Sequence, residues 1–295
     1  MGRASPGPWH RPRELARRRA GARGSFAAHA QYGRKERLVV VSAVTVIDRL
    51  NGPAVPERAI HDPAVAAQLL RLQAAAKGRN AHGILELALG GELAGKTALV
   101  SSFGAESAVL LHLMAQIDPN TPVLFLNTGK LFGETLRYRD RLQELLGLGD
   151  IRSLAPHPAD RAARDPEGTL WARNPDSCCD FRKVVPLKRA LAGFVAQITG
   201  RKRFQTKNRA AMQAVEFFED RLRFNPLADW SQVDLEAYMV KHALPRHPLV
   251  EDGYPSIGCM PCTRRVAAGE SYRDGRWSGL EKDECGIHGV DGEGI

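Results

Sequence analysis

Apolar residues fall into two kinds of run along residues 62–200. From Asp62 they recur at helical spacing, at Ala64, Ala66, Leu69, Leu70 and Leu72 and again over residues 84–88, and Gly90 and Gly91 close the pattern. Residues 97–101 (Thr-Ala-Leu-Val-Ser) are a short unbroken apolar run, as expected of a strand covered on both faces. A turn of small residues over 102–107 leads into a helix over 107–116. Residues 122–126 read as a second strand, 127–130 as its loop and 133–146 as the next helix. Residues 186–196 then predict a helix and 198–200 a short strand. Strand, turn and helix in alternation predict an α/β fold with a doubly wound, mostly parallel sheet.

Beyond residue 221 the chain reads as loop-rich, with one helix over 231–242 and Gly253, Gly258, Gly269, Gly275 and Gly279 as punctuation. This segment is expected to wrap the sheet. Residues 37–47 are β-branched and could form a strand, and Pro53, Pro56 and Pro63 mark a connection. Three parts are expected: a basic extension over 1–60, a nucleotide-binding α/β domain over 61–270, and a mobile tail over 271–295. No run of about 18 apolar residues exists, so no membrane span is expected. The start lacks the apolar stretch of a secretory signal.

The 295-residue chain carries a formal net charge of +9, which resembles a nucleic-acid signature until it is located. Residues 1–38 hold nine Arg and one Lys against two Glu, so nearly all the excess lies there. The remaining chain is almost neutral, and nucleic acid is not the favoured partner.

Five cysteines are too few for a disulfide scaffold, and their placement matters more than their number. Cys259 and Cys262 form a C-x-x-C, a spacing that lets two thiolates reach one metal ion or cluster. Cys178 and Cys179 are adjacent, so both can serve only where the chain turns, and Pro175 supplies helix-start chemistry just before them. Four thiolates could hold zinc or an iron–sulfur cluster, and a redox C-x-x-C is a further reading. Cys285 stands alone near the end, followed by Gly286 and Gly289, which suit a moving thiol.

Residues 101–107 (Ser-Ser-Phe-Gly-Ala-Glu-Ser) sit where an open parallel sheet binds ligands, and their backbone N–H groups could approach an anion. The run is neither G-x-x-x-x-G-K-[ST] nor G-x-G-x-x-G. Lys183, the run from Arg201 to Arg209, and Arg273 with Arg276 form three basic groups near predicted strand ends. They suit an anion with several oxygens, clamped by guanidinium forks.

Taken together, residues 101–111 (SSFGAESAVLL), 125–135 (FLNTGKLFGET), 178–183 (CCDFRK), 225–230 (NPLADW), 253–263 (GYPSIGCMPCT), 273–277 and 284–288 (ECGIH) resemble the assimilatory adenylyl-sulfate reductases of the phosphoadenylyl-sulfate reductase family. They occur in order over about residues 62–290. The resemblance implies the adenine nucleotide alpha hydrolase-like (PP-loop) fold. It implies thioredoxin-dependent reduction of adenylyl sulfate to sulfite and AMP, within sulfate assimilation and cysteine biosynthesis. Cys285 would be the nucleophile, and Cys178, Cys179, Cys259 and Cys262 would hold a [4Fe–4S] cluster. Ser101, Phe103, Gly104, Leu126 and Gly200 would line the nucleotide site, with Lys183, Arg209, Arg273 and Arg276 clamping phosphate and sulfate. A cytoplasmic location, reduced thioredoxin as partner and a homo-oligomer are further implications.

Three departures from that pattern stand out. Asn127 occupies a position that usually carries Asp, Lys202 replaces an Arg, and the acid expected before Gln205 is absent. The alternatives are a reductase for the 3′-phosphorylated nucleotide, a PP-loop sulfur-transfer enzyme such as a tRNA thiolase, and a zinc-stabilised nucleic-acid-binding protein.

Overall fold

The computed structural model describes residues 62–279, 282 and 284–287. The extension over 1–60, the strand expected over 37–47, Pro53, Pro56 and His288 lie outside these residues.

Two helices open the described chain, α1 (Pro63–Ala76) and α2 (Ala81–Leu89). Asp62 starts α1 by accepting from the Ala64 N–H at 2.8 Å, with Pro63 in the first turn. Then follow β1 (Thr97–Ser101), α3 (Ser107–Ala115), β2 (Val123–Leu126), α4 (Gly133–Leu146) and β3 (Ile151–Leu154). Three short helices, α5 (Pro158–Arg164), α6 (Leu170–Arg173) and α7 (Pro175–Cys179), precede a π turn at Asp180–Val184 and α8 (Val185–Leu191). The chain ends with β4 (Ala196–Thr199), the hairpin β5 (Val215–Phe218) and β6 (Arg221–Phe224), α9 (Gln232–Lys241) and a looped C-terminal stretch.

The sheet order is β3-β2-β1-β4-β6-β5. All pairs are parallel except β5 with β6. From β1 the chain winds outward to β2 and β3, then returns to place β4 on the other side of β1. Crevices open at such a reversal, beyond the carboxyl ends of the central strands. Every residue of β1, β2 and β4 is buried, which explains their unbroken apolar runs.

The two faces pack separately. Leu99, Val123, Phe125 and Ile198 join α2, α3, α4 and α9 in one core, while Ala98, Val100, Leu124 and Leu126 meet Leu187, Leu191 and Phe194 in the other. Alternation along each strand assigns neighbours to opposite layers.

The structure corrects the sequence reading at several elements. The helix expected over 186–196 stops at Leu191, and Ala196 with Gln197 begins β4. The strand β3 lies at the sheet edge and is only half-covered, so its polar Arg152 and Ser153 hid it. The stretch from residue 221, read as loop, starts with β6. Its arginines are buried: Arg221 donates to the Phe194 carbonyl at 3.1 Å, and Arg223 stacks on Phe218 and pairs with Glu216 at 3.4 Å. A guanidinium with such partners can sit in a sheet that composition alone would deny it.

Candidate functional site

The main cavity lies over the carboxyl ends of β1, β2 and β4. Ser101 and Gly104 line it from the first strand-to-helix loop, Leu126 and Thr128 from the second strand, and Gly200 from the fourth. Ser256, Gly258, Tyr272 and Trp277 close it from the C-terminal stretch. Lys183, Arg209, Arg273, Arg276 and Cys285 also face it. Of the expected nucleotide-site residues, Phe103 alone does not line it. Its ring is fully buried, edge-on to Phe125 at 5.2 Å, in the core beneath. Phe103 takes a positive φ of 49°, and its N–H donates to Ser101 Oγ at 3.1 Å. That kink turns the loop away from the strand, so Ser102, Gly104, Ala105 and Glu106 rather than the phenyl ring meet the cavity.

The thiol quartet comes from two turns. Asn174 caps α7 by accepting from the Ser177 N–H at 2.9 Å, and Pro175 fills the first turn. Cys178 and Cys179 therefore sit on helical backbone, where neighbouring side chains diverge by about 100° instead of pointing oppositely. Cys259 precedes a 3₁₀ turn, Met260–Cys262, held by the Met260 N–H to the Lys130 carbonyl at 2.7 Å. Thr128 Oγ1 lies 3.2 Å from Cys259 Sγ. Cys178, Cys179 and Cys259 are buried, Cys262 half-buried. No group of three or more His, Cys, Asp or Glu among the described residues is arranged to hold a single metal ion. Yet the charges of Cys179, Cys259 and Cys262 all reach Cys178, whose thiol burial pushes up to about 11, with Arg182 opposing.

Arg182 anchors this region. It donates to the Thr128 carbonyl at 2.8 Å and to Asp165 at 2.6 Å, and both side chains of the ion pair are essentially inaccessible. Burial alone would raise the Asp165 carboxyl, but the Arg182 pair and the Leu170 N–H outweigh it and hold it below its ordinary 3.8. The pair's stabilisation is thus full above that ordinary value and is lost as pH falls through the lowered one. We expect Asp165→Ala to destabilise the fold by about 3–5 kcal/mol at neutral pH, because it strands a buried guanidinium. Thermal melts at pH 7 and pH 3 check this: the deficit should be large at the first and shrink at the second.

Lys183 is the link between the quartet and Cys285. Burial works against its charge, but Cys285, Cys259 and Cys179 together more than offset that and keep it cationic. Its Nζ lies 5.9 Å from the Trp277 ring centroid, and the Arg276 guanidinium lies 4.4 Å from the same ring. Trp277 is fixed by its N–H to the Cys262 carbonyl at 3.1 Å, and a bridge joins Thr263 to Arg276. The stretch around 271–279 is therefore stitched to the thiol turn, so the boundary expected at residue 270 cuts a continuous structure. Gly258 makes room for the Arg276 guanidinium, which a Cβ there would overlap. Gly258→Ala should push that side chain aside and weaken the binding of inorganic sulfate about tenfold, with the melting temperature nearly unchanged; calorimetric titration checks it.

Two features escaped the sequence reading. Lys202, noted only as a departure, is buried and paired with Glu106, whose carboxylate also accepts from Gln205 Nε2 at 3.2 Å and the Tyr272 hydroxyl at 2.7 Å. Burial works against the Lys202 charge and lowers its pKa, while Glu106 opposes that shift. Asn127 Oδ1 accepts from the Gly129 N–H at 3.2 Å, so the position makes a turn with or without a charge. Buried Arg209 Nε and Arg276 Nε lack hydrogen-bond partners among the described residues, although both side chains line the cavity. The arrangement can bind a polyanion beside a thiol.

A family model described as the phosphoadenosine phosphosulfate reductase domain matches residues 96–265. An adenosine 5′-phosphosulfate reductase of Mesorhizobium japonicum is 55% identical over 191 residues, covering 65% of this chain and 75% of that protein. One from Mycobacterium tuberculosis is 43% identical over 186 residues, covering 61% and 72%. Among solved structures, a phosphoadenylyl-sulfate reductase from Candida auris superposes with a TM-score of 0.58 at 22% identity, over 68% of this chain and 97% of that one. That last likeness speaks to the fold. No described helix is long and apolar enough to cross a membrane.

Proposed function

Because the chain belongs to the phosphoadenosine phosphosulfate reductase family, we propose that it reduces adenylyl sulfate to sulfite and AMP, with a thioredoxin-type dithiol as reductant. The observation that carries this reading is the convergence of Lys183, Arg209, Arg273, Arg276 and Cys285 on one cavity at the strand ends. Relatives named adenosine 5′-phosphosulfate reductase at 41–55% identity point to the same substrate.

The chemistry divides between those residues. The adenosine lies along Ser101, Gly104, Leu126 and Gly200, and the guanidinium groups take the phosphate and sulfate oxygens. Lys183 attracts the Cys285 thiolate, which attacks the sulfate sulfur. The bond from that sulfur to the phosphate oxygen breaks, and AMP leaves with the electron pair, its charge met by the arginines. Cys285 then carries an S-sulfonate. A thiol of the reductant attacks Cys285 Sγ through a mixed disulfide, sulfite departs, and the second thiol resolves the disulfide and restores Cys285. Two thiols supply both electrons, so AMP, sulfite and one disulfide balance the reaction. Persistent free thiols require a reducing compartment such as the cytoplasm.

Cys178, Cys179, Cys259 and Cys262 would hold a [4Fe–4S] cluster. Four thiols with no carboxylate or imidazole among them fit such a centre, a donor set it shares with structural zinc. When bound, it supplies a fixed buried charge beside Lys183. Anaerobically purified protein should be brown and contain on the order of four irons per chain. A colourless protein carrying one zinc would contradict this. Competition between adenylyl sulfate and its 3′-phosphorylated form tests the substrate: the former should have the higher kcat/KM. Preference for the latter would move the reading to the second nucleotide.

A further inference from the structure

The tail carrying Cys285 is held at three points. Lys282 pairs with Asp176 on α7 and lies 5.7 Å from the Trp277 ring centroid. Ile287 packs against the apolar cluster of Leu187 and Leu191, after a turn at Gly286 with φ of 82°. Between them Glu284 reaches into the cavity. Its carboxylate accepts from Arg209 Nη2 at 2.7 Å and from Thr206 Oγ1 at 3.3 Å, and its charge also acts on Arg273. The Glu284 and Arg209 side chains are only 10% and 8% exposed. A carboxylate buried that deeply, immediately before the nucleophile and against an arginine of the cavity wall, is unlike a surface charge.

We propose that Glu284 is a positioning residue for Cys285, and that it works by taking, on Arg209, the subsite a ligand anion takes. The inference deepens the nucleotide-site reading and rests on it. Arg209, Arg273 and Arg276 repel one another in the cavity, so a cavity without ligand favours an internal anion. A charge-assisted bond from a rigid guanidinium to Glu284 supplies that anion and fixes the neighbouring residue, Cys285. Arg209 Nη2 can serve the tail carboxylate or a ligand oxygen as its main partner, and the two then compete. Docking of the tail weakens the ligand by the same factor by which the ligand weakens docking, because the coupling is reciprocal. The phosphate of adenylyl sulfate carries a single charge and leaves Glu284 on Arg209 for the attack, whereas the phosphate of AMP carries two, outcompetes the monoanionic carboxylate and loosens the tail. The sulfonated Cys285 of the proposed cycle would then be free to meet a bulky reductant while AMP still fills the cavity.

The test uses the anaerobic holoenzyme and two readouts, neither of which needs turnover. The first is AMP affinity by calorimetry for the parent protein and Glu284→Gln. The second is the rate at which iodoacetamide alkylates Cys285, followed by peptide mass, with and without AMP. We expect AMP to bind about tenfold more tightly to Glu284→Gln. AMP should accelerate Cys285 alkylation about tenfold in the parent, while Glu284→Gln should be fast already and insensitive to AMP. A mere change of net charge would tighten AMP binding yet leave the AMP effect on alkylation in place, and that outcome overturns the proposal. Equal AMP affinity in the two proteins, or parent alkylation that AMP does not change, overturns it too. Inorganic sulfate is the second probe. If AMP fails to bind but sulfate accelerates alkylation in the parent and not in Glu284→Gln, the positioning role stands and the nucleotide reading falls.

Discussion

Replacing Cys285 with serine is expected to abolish sulfite release, by a factor on the order of 10³ or more, while AMP binds as before. The hydroxyl is far less acidic and less polarisable than the thiol, so attack on the sulfate sulfur fails even in an intact cavity. Serine is close to isosteric, and Cys285 is only half-buried with no hydrogen bond of its own among the described residues. The melting temperature should therefore stay within a degree or two of the parent's. Sulfite assay, calorimetry and a thermal melt on one preparation separate the chemical loss from a folding loss. Undiminished sulfite formation would remove Cys285 from the mechanism.

Cys259→Ala should be nearly as severe for a different reason. Cys259 is buried, touches Thr128 Oγ1, and bridges Leu131 through its backbone. Its turn carries Cys262, whose carbonyl fixes the Trp277 N–H, and Trp277 packs with Lys183 and Arg276. Losing one donor of the quartet should strip iron from the site, loosen that chain of contacts and lower turnover by at least about 100-fold. The variant should also melt earlier, since metal binding and folding are coupled. Iron analysis and visible absorption read the first effect directly. A variant with full iron and parental turnover would show that Cys259 is not a donor.

The sequence disclosed the parts of this molecule that obey local rules. Buried central strands read as unbroken apolar runs, and β1, β2, α3 and α4 fall where those runs predict. Lys183, Arg209, Arg273 and Arg276, marked by their charge, line one crevice, where Cys259 is the one member of the two cysteine pairs that joins them. What escaped was set by tertiary partners. Arg223 is almost fully buried because Phe218 and Glu216 receive it, so β6 looks polar on paper. Phe103 belongs by position to the ligand loop, yet its ring fills the core through a positive φ. Glu106 with Lys202, and Arg209 with Glu284, pair across 96 and 75 residues. No periodicity or spacing rule reaches that far. The +9 net charge was the least informative signal, because nearly all of it falls in residues 1–38.

The step that decides the mechanism is transfer of the sulfonate from adenylyl sulfate to Cys285. It is tested most directly by incubating the anaerobic holoenzyme with adenylyl sulfate and no thiol reductant, then weighing its peptides. The Cys285 peptide should gain the mass of one SO₃ group, with one AMP released per chain, and added dithiol should remove that mass as sulfite. A peptide that never gains it, or a Cys285→Ser protein that gains it elsewhere and still turns over, would contradict the account.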